Sequence, residues 1–128
     1  MTLRFRVAPF RLAVCRLAAE DAVPAWGSAG AWHSITRTPS ELSIVCEESN
    51  VPAGVRHQGG WAALMLEGPF EFALTGVLAS VAGPLAAAGV PIFAVSTFDT
   101  DWVLVPQEKL DAAVHALKAA GHTEVAQR

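Results

Sequence analysis

The sequence predicts an α+β fold in which helices pack on one face of an antiparallel sheet. Three observations carry that expectation. Of 128 residues, 52% are hydrophobic and 16% charged, which excludes disorder and leaves enough apolar side chain to build a core in one ordinary domain or two very small ones. Two stretches space their apolar residues as a helix face does: Phe70, Leu74, Val77, Leu78, Val81 and Leu85, then Leu110, Ala113, Val114 and Leu117. Around them lie short apolar runs bounded by Gly and Pro, the mark of strands. In chain order these runs and helices read β-α-β-β-α-β, the ferredoxin-like plan.

Trp61 to Leu66 is a short apolar run closed by Glu67-Gly68-Pro69, so it reads as a buried strand. The first helix is expected from Phe70 to Leu85. Pro84 should kink or end it, since proline lacks the N–H and crowds the preceding turn, and Gly89 supplies the stop. Val90 to Ser96 is too apolar to keep one face in water. With Thr97–Thr100 as a connection and Asp101 to Val105 as the return, it predicts a hairpin. Pro106 suits a helix start, Lys118 the last turn and Gly121 the stop; His122 to Ala126 is the closing strand. The first half has strand signals at Phe10–Leu17, His33–Thr38 and Leu42–Glu47. Ala22 to Ala31 is loop-like, and no helix is convincing there. The composition shifts near Gly59-Gly60, which divides the chain into residues 1–59, a shorter β-rich unit, and residues 60–128.

The charge narrows the function classes. Residues 1–60 carry six arginines and five acids, a net of +1, while residues 61–128 carry a net of -4. No basic stripe runs along the chain, so nucleic acid is not an expected partner. The uncharged stretch from Phe72 to Phe98 is long enough to raise a membrane span, but Gly83-Pro84 and Gly89-Val90-Pro91 punctuate it and its period changes from helix to strand. No membrane association is expected. Arg4, Arg6, Arg11 and Arg16 break every apolar run near the N-terminus, so no secretory signal is expected there. Cys15 and Cys46 form no CxxC pair and suit a reducing, cytoplasmic compartment as buried thiols. His33, His57, His115 and His122 lack metal-ligand spacing, so neither a metal nor a cofactor is expected. An enzyme would have to rest on Cys46 with His33 or His57 as base. Nothing in the sequence brings them together, and no GxSxG, P-loop or GxGxxG motif occurs.

One stretch is more specific. Glu67-Gly68-Pro69-Phe70 through Val105, above all Leu78 to Leu85, Ala88 to Asp101 and the segment Ser-Thr-Phe-Asp-Thr-Asp-Trp-Val-Leu-Val, resembles the ACT-domain family. Within it the chain looks most like small two-ACT proteins related to the CASTOR arginine sensors and to aspartokinase regulatory domains. Ser43 to Glu48 extends the likeness into the first half, which makes residues 1–59 a degenerate ACT-like unit before an ACT domain at 60–128. The resemblance implies a regulatory module without enzymatic activity. It implies a small ligand, usually an amino acid, held between paired domains, and hence a homodimer. By motif, the ligand set is Ser96, Thr97, Phe98 and Asp101, joined from the partner side by Val90, Pro91 and Ile92. The sensors carry a serine where this chain has Pro91, which removes an N–H and a hydroxyl, so arginine specificity does not carry over.

The residues themselves add to this set. An α-amino acid needs donors for its carboxylate and negative charge for its ammonium. Backbone N–H groups from Gly68 to Phe72, near the expected helix start, can serve the first. Asp99 or Asp101 can serve the second, and Thr75 and Gly76 leave room and a hydroxyl in the first turn. Each also has a purely structural use: Asp99 as a turn cap, Asp101 as a solvated strand start, Ser96 and Thr97 as partners of backbone groups. An interaction domain without a ligand stays open beside the ligand-binding reading. The apolar helix from Phe70 to Leu85 exceeds what so short a chain can cover by itself, a second reason to expect a partner subunit.

Overall fold

The computed structural model describes residues 1–125. Two compact units form: Met1–Pro9 with the chain from Ala62 onward, and Phe10–Trp61. Met1–Pro9 thus belongs with the later part of the chain, and the smaller unit ends at Trp61.

The larger unit is built from the first half of β1 (Arg4–Leu17), the end of β4 (His57–Leu66), α1 (Val77–Ala87), β5 (Phe93–Ser96), β6 (Asp101–Pro106), α2 (Leu110–Ala119) and β7 (Thr123–Glu124). Its strands lie in the order β7-β1-β4-β6-β5. This is the expected βαββαβ sheet with one strand added: the N-terminal segment inserts between β7 and β4. Glu67 N–H donates to Arg4 O at 2.8 Å, and Thr123 N–H donates to Leu3 O at 2.9 Å. The insertion follows from alternation. Leu3 and Phe5 are buried while Arg4 is exposed, so one face of this segment supplies the core and the other its charge. Arg4 and Arg6 both reach Glu67, at 3.0 and 3.3 Å.

Both helices contribute to a single core. Val77, Val81 and Leu85 of α1, and Ala113 and Leu117 of α2, pack with Phe5, Leu64, Leu66, Val103 and Val105 of the sheet. The positions 64/66 and 103/105 alternate inward as strand residues must. β5 begins at Phe93 rather than Val90, since Pro91 has no N–H to give a ladder. A single 3-10 turn, Gln107–Lys109, precedes α2, and Lys109 Nζ donates to Gly89 O at 2.9 Å. Gly121, at φ 98°, ends α2, with its N–H on Lys118 O and His122 N–H on Leu117 O, both at 3.0 Å. The closing strand was expected over His122 to Ala126; it is Thr123–Glu124, and Ala126 lies outside the described residues.

Two expectations for the first helix are corrected. It begins at Val77, not Phe70. Gly76 stands before it at φ 85°, ψ -2°, a left-handed conformation that interrupts a right-handed helix. Phe70, Phe72 and Leu74 therefore belong to a loop whose spacing imitates a helix. Pro84 neither ends nor breaks the helix, which runs on to Ala87. Proline deprives the carbonyl four residues back, that of Ser80, of its usual donor. His122 supplies another: its Nε2 lies 2.8 Å from Ser80 O, while its Nδ1 accepts from Leu3 N–H at 3.0 Å. Accepting at Nδ1 places the imidazole proton on Nε2, so one neutral ring satisfies both groups.

The smaller unit holds the second half of β1, β2 (His33–Arg37), β3 (Leu42–Glu47) and the start of β4, with β3 between β2 and β1. Both pairings of β3 are antiparallel, Val14 opposite Val45 and Ile35 opposite Ile44. Only 3-10 turns occur besides strands, at Ala25–Ser28 and Glu48–Asn50. Ala13, Cys15, Leu42, Ile44 and Cys46 form its core, with Trp26 packed against them.

Both thiols are free and buried. Burial first, then the charge of Cys46 and their thiol–thiol hydrogen bond, pushes the Cys15 thiol up to about 12 from an ordinary 9.0. Burial also raises Cys46, against a lowering by the bond to Cys15. Thiolates are the reactive species, so an aromatic disulfide reagent at pH 8 should titrate no thiol in the native protein and two per chain in denaturant; rapid native reaction would contradict this burial. The pH dependence has a definite sign. The folded state holds the Cys15 proton above pH 9 where the unfolded chain releases it, so this contribution to stability is full below pH 9 and is lost as pH rises toward about 12.

Candidate functional site

The chemically loaded part of the larger unit is where the loop after β4 meets the β5–β6 turn. The turn is internally braced: Thr97 N–H and Oγ1 both donate to Thr100 O, at 2.8 and 3.0 Å. It is also tied to the loop. Thr100 Oγ1 donates to Leu66 O at 2.5 Å, and Phe70 N–H donates to Asp99 O at 2.8 Å. A Cβ on Gly68 would stand 2.8 Å from Asp99 O, so the loop approaches the turn as closely as only glycine allows. Ser96 Oγ donates to Asp101 Oδ1 at 2.6 Å, holding that carboxylate at the mouth of the hairpin.

Between loop and turn lies an open cleft of about 270 Å³. Of the residues expected at a site, Ser96, Thr97, Phe98, Asp99 and Asp101 line it. Gly68 and Pro69 frame the loop without lining it. Thr75 and Gly76 precede α1 outside the lining. Val90, Pro91 and Ile92 sit at the other end of β5, with Val90 buried in the core. The expected use of the Gly68–Phe72 amides as a helix N-terminus is corrected, since the helix starts later and Phe70 N–H already serves Asp99 O. Sequence reasoning missed Leu74, Val77 and Thr100 as lining residues, and it expected only backbone N–H groups from Phe70, Glu71 and Phe72, which also line the cleft. Taking the loop as helix hid them, and Gly76 so close behind was the signal that could have exposed it. The rings of Phe72 and Phe98 meet edge to face with centroids 4.7 Å apart.

The chemistry of the cleft is one-sided. Glu71, Asp99 and Asp101 bring three carboxylates, and none of the described lining residues is basic. Aromatic faces beside carboxylates favour cations. The Cys46–His pairing has the opposite character. His33 stands opposite Cys46 in the β2–β3 register, but the thiol is fully buried and its pKa is raised, whereas a nucleophile needs it lowered. His57 Nδ1 lies 2.7 Å from Val55 O. Among the described residues no group of three metal-ligating side chains gathers, and no helix is long and apolar enough to cross a membrane.

The model of the ACT domain matches residues 56–119, which is half of the chain. The chain belongs to the ACT-domain family. A second model, for an N-terminal domain, matches residues 11–54. The cytosolic arginine sensor for mTORC1 subunit 1 of Homo sapiens is 36% identical over 59 residues, and that of Mus musculus 34%. Each match covers 45% of this chain and only 18% of the sensor. A crystal structure of an Agobacterium tumefaciens protein is 39% identical with a TM-score of 0.93, over 100% of this chain and 96% of that one. The regulatory subunit of aspartate kinase from Thermus flavus, at 13% identity, shares the fold with a TM-score of 0.64, over 91% of this chain and 95% of that one. The cleft described above lies within the ACT domain, and the braced turn is its Ser-Thr-Phe-x-x-Asp motif.

Proposed function

We infer that this ACT domain is a non-enzymatic regulatory module whose effector is a small molecule of the amino-acid class. The observation that carries the reading is the braced Thr97–Thr100 turn, which presents Ser96, Thr97, Phe98, Asp99 and Asp101 to an open cleft in a domain of this family. A turn already fixed by its own hydrogen bonds loses little entropy on binding. The partial match to an arginine sensor supports an amino-acid effector. Two copies would pair along the uncharged outer face of α1, where Ala79, Gly83 and Ala86 are exposed, and the partner's Val90, Pro91 and Ile92 would close the ligand site. Gly68, Pro69, Thr75 and Gly76 would shape the loop beside it. The smaller unit, Phe10–Trp61, would then be the degenerate ACT-like unit expected over residues 1–59, and the cytoplasm the compartment.

A thermal-shift screen against the twenty amino acids tests this. A ligand present at about 100 times its dissociation constant stabilises by about 2.7 kcal/mol, and the shift should disappear in Asp101→Asn. No shift with any of the twenty would overturn the amino-acid reading. Sedimentation over a concentration series reads the pairing, which a monomer at all concentrations would contradict.

A further inference from the structure

The cleft does not account for the apolar surface beside it. Phe72 is 76% exposed, Phe98 78% and Leu74 47%. These three stand together on the loop and the turn, and the two rings are already in contact. Large apolar side chains gathered this way mark an interaction site. A small ligand seated in about 270 Å³ would leave the outer faces of these rings in water, so an occupant that covers them must extend beyond the cleft.

Charge identifies the occupant. Glu71, Asp99 and Asp101 rim the same surface, and none of the described lining residues is basic to offset them. A second copy docking symmetrically by this face would set three carboxylates against three. A membrane rich in anionic lipid would be repelled. A segment alternating arginine or lysine with large apolar residues would satisfy both features, its cations on the carboxylates and over the phenyl faces, its apolar side chains against Phe72, Leu74 and Phe98. The geometry points to this surface as the docking site for a basic, apolar-anchored segment of a partner protein, in addition to the effector role inferred above. Segment and effector share Asp99 and Asp101, so they compete.

The test is fluorescence anisotropy of the full chain with a labelled Arg-Leu-Arg-Phe-Arg-Leu peptide, beside its glutamate counterpart Glu-Leu-Glu-Phe-Glu-Leu and labelled arginine amide. The basic peptide should bind, its counterpart should not, and affinity should fall several-fold between 50 and 200 mM salt. Phe72→Ser with Phe98→Ser should weaken binding at least about tenfold. Both positions are exposed, so an unchanged melting temperature and circular dichroism will show the fold intact. Three results overturn the proposal: equal binding of both peptides, arginine amide binding as tightly as the peptide, or the double variant binding as the parent does. A dimer that the same double substitution dissociates would assign the face to a second copy and overturn it too. The amino-acid screen on the same preparation keeps the two readings apart, since amino-acid shifts without peptide binding sink only the docking surface, and peptide binding without any shift sinks only the effector.

Discussion

Replacing His122 with alanine is expected to destabilise the protein by about 3 kcal/mol or more. His122 is 4% exposed and holds two backbone groups, Leu3 N–H and Ser80 O, at 3.0 and 2.8 Å. Leaving a buried donor or acceptor without a partner costs about 1–3 kcal/mol each, and the lost ring adds a cavity. Each kcal/mol moves the melting temperature of a chain of this size by roughly 3–5 °C, so thermal denaturation should show a drop of about 10 °C. The reason for the size of the effect is local and can be tested separately. Ser80 O needs His122 because Pro84, four residues on, has no N–H to give. In a Pro84→Ala background the backbone regains an N–H at that position, which can take the Ser80 carbonyl. His122→Ala should therefore cost about 1 kcal/mol less there. Equal costs in the two backgrounds would show that the proline and the histidine do not compensate each other.

This pair also shows where the fold could and could not be read from the chain. The α2 face, Leu110 through Leu117, and the hairpin around Thr97–Thr100 follow from local pattern and appear in place. Periodicity failed at two points, for opposite reasons. At Phe70 to Leu74 the spacing was helical but the backbone was not, because Gly76 in a left-handed conformation and the bond from Phe70 N–H to Asp99 O outweigh local preference. At Pro84 local preference argued for a break, and His122, far later in the chain, removed the reason for one. Compensation by a residue so distant leaves no local trace. The site was half legible. Ser96 to Asp101 lie in one strand-turn-strand and come together by sequence alone. Glu71, Phe72 and Leu74 reach the same cleft through long-range hydrogen bonds, Thr100 Oγ1 to Leu66 O among them, that no spacing rule contains.

The N-terminal strand supplies the other large effect. Phe5 is 1% exposed in the core shared with Leu64, Leu66 and Leu117, although it lies far upstream of residues 56–119, which carry the ACT-domain match. Phe5→Ala removes a buried ring from a site that can collapse only partly, at a cost of about 3–5 kcal/mol. If Met1–Pro9 completes the sheet, this substitution should lower the unfolding midpoint in urea without changing the slope, since the surface exposed on unfolding stays the same. It should also increase hydrogen exchange at Thr123 and Val125, whose N–H groups donate to Leu3 O and Phe5 O at 2.9 and 2.8 Å. Phe10, nearby in the same strand but half-buried in the other unit, provides the control: Phe10→Ala should cost clearly less and leave exchange at Thr123 unchanged. A Phe5→Ala protein with the parent's midpoint and the parent's exchange at Thr123 and Val125 would mean that the ACT domain folds without its first strand, and that the sheet ends at β4 rather than continuing through β1 to β7.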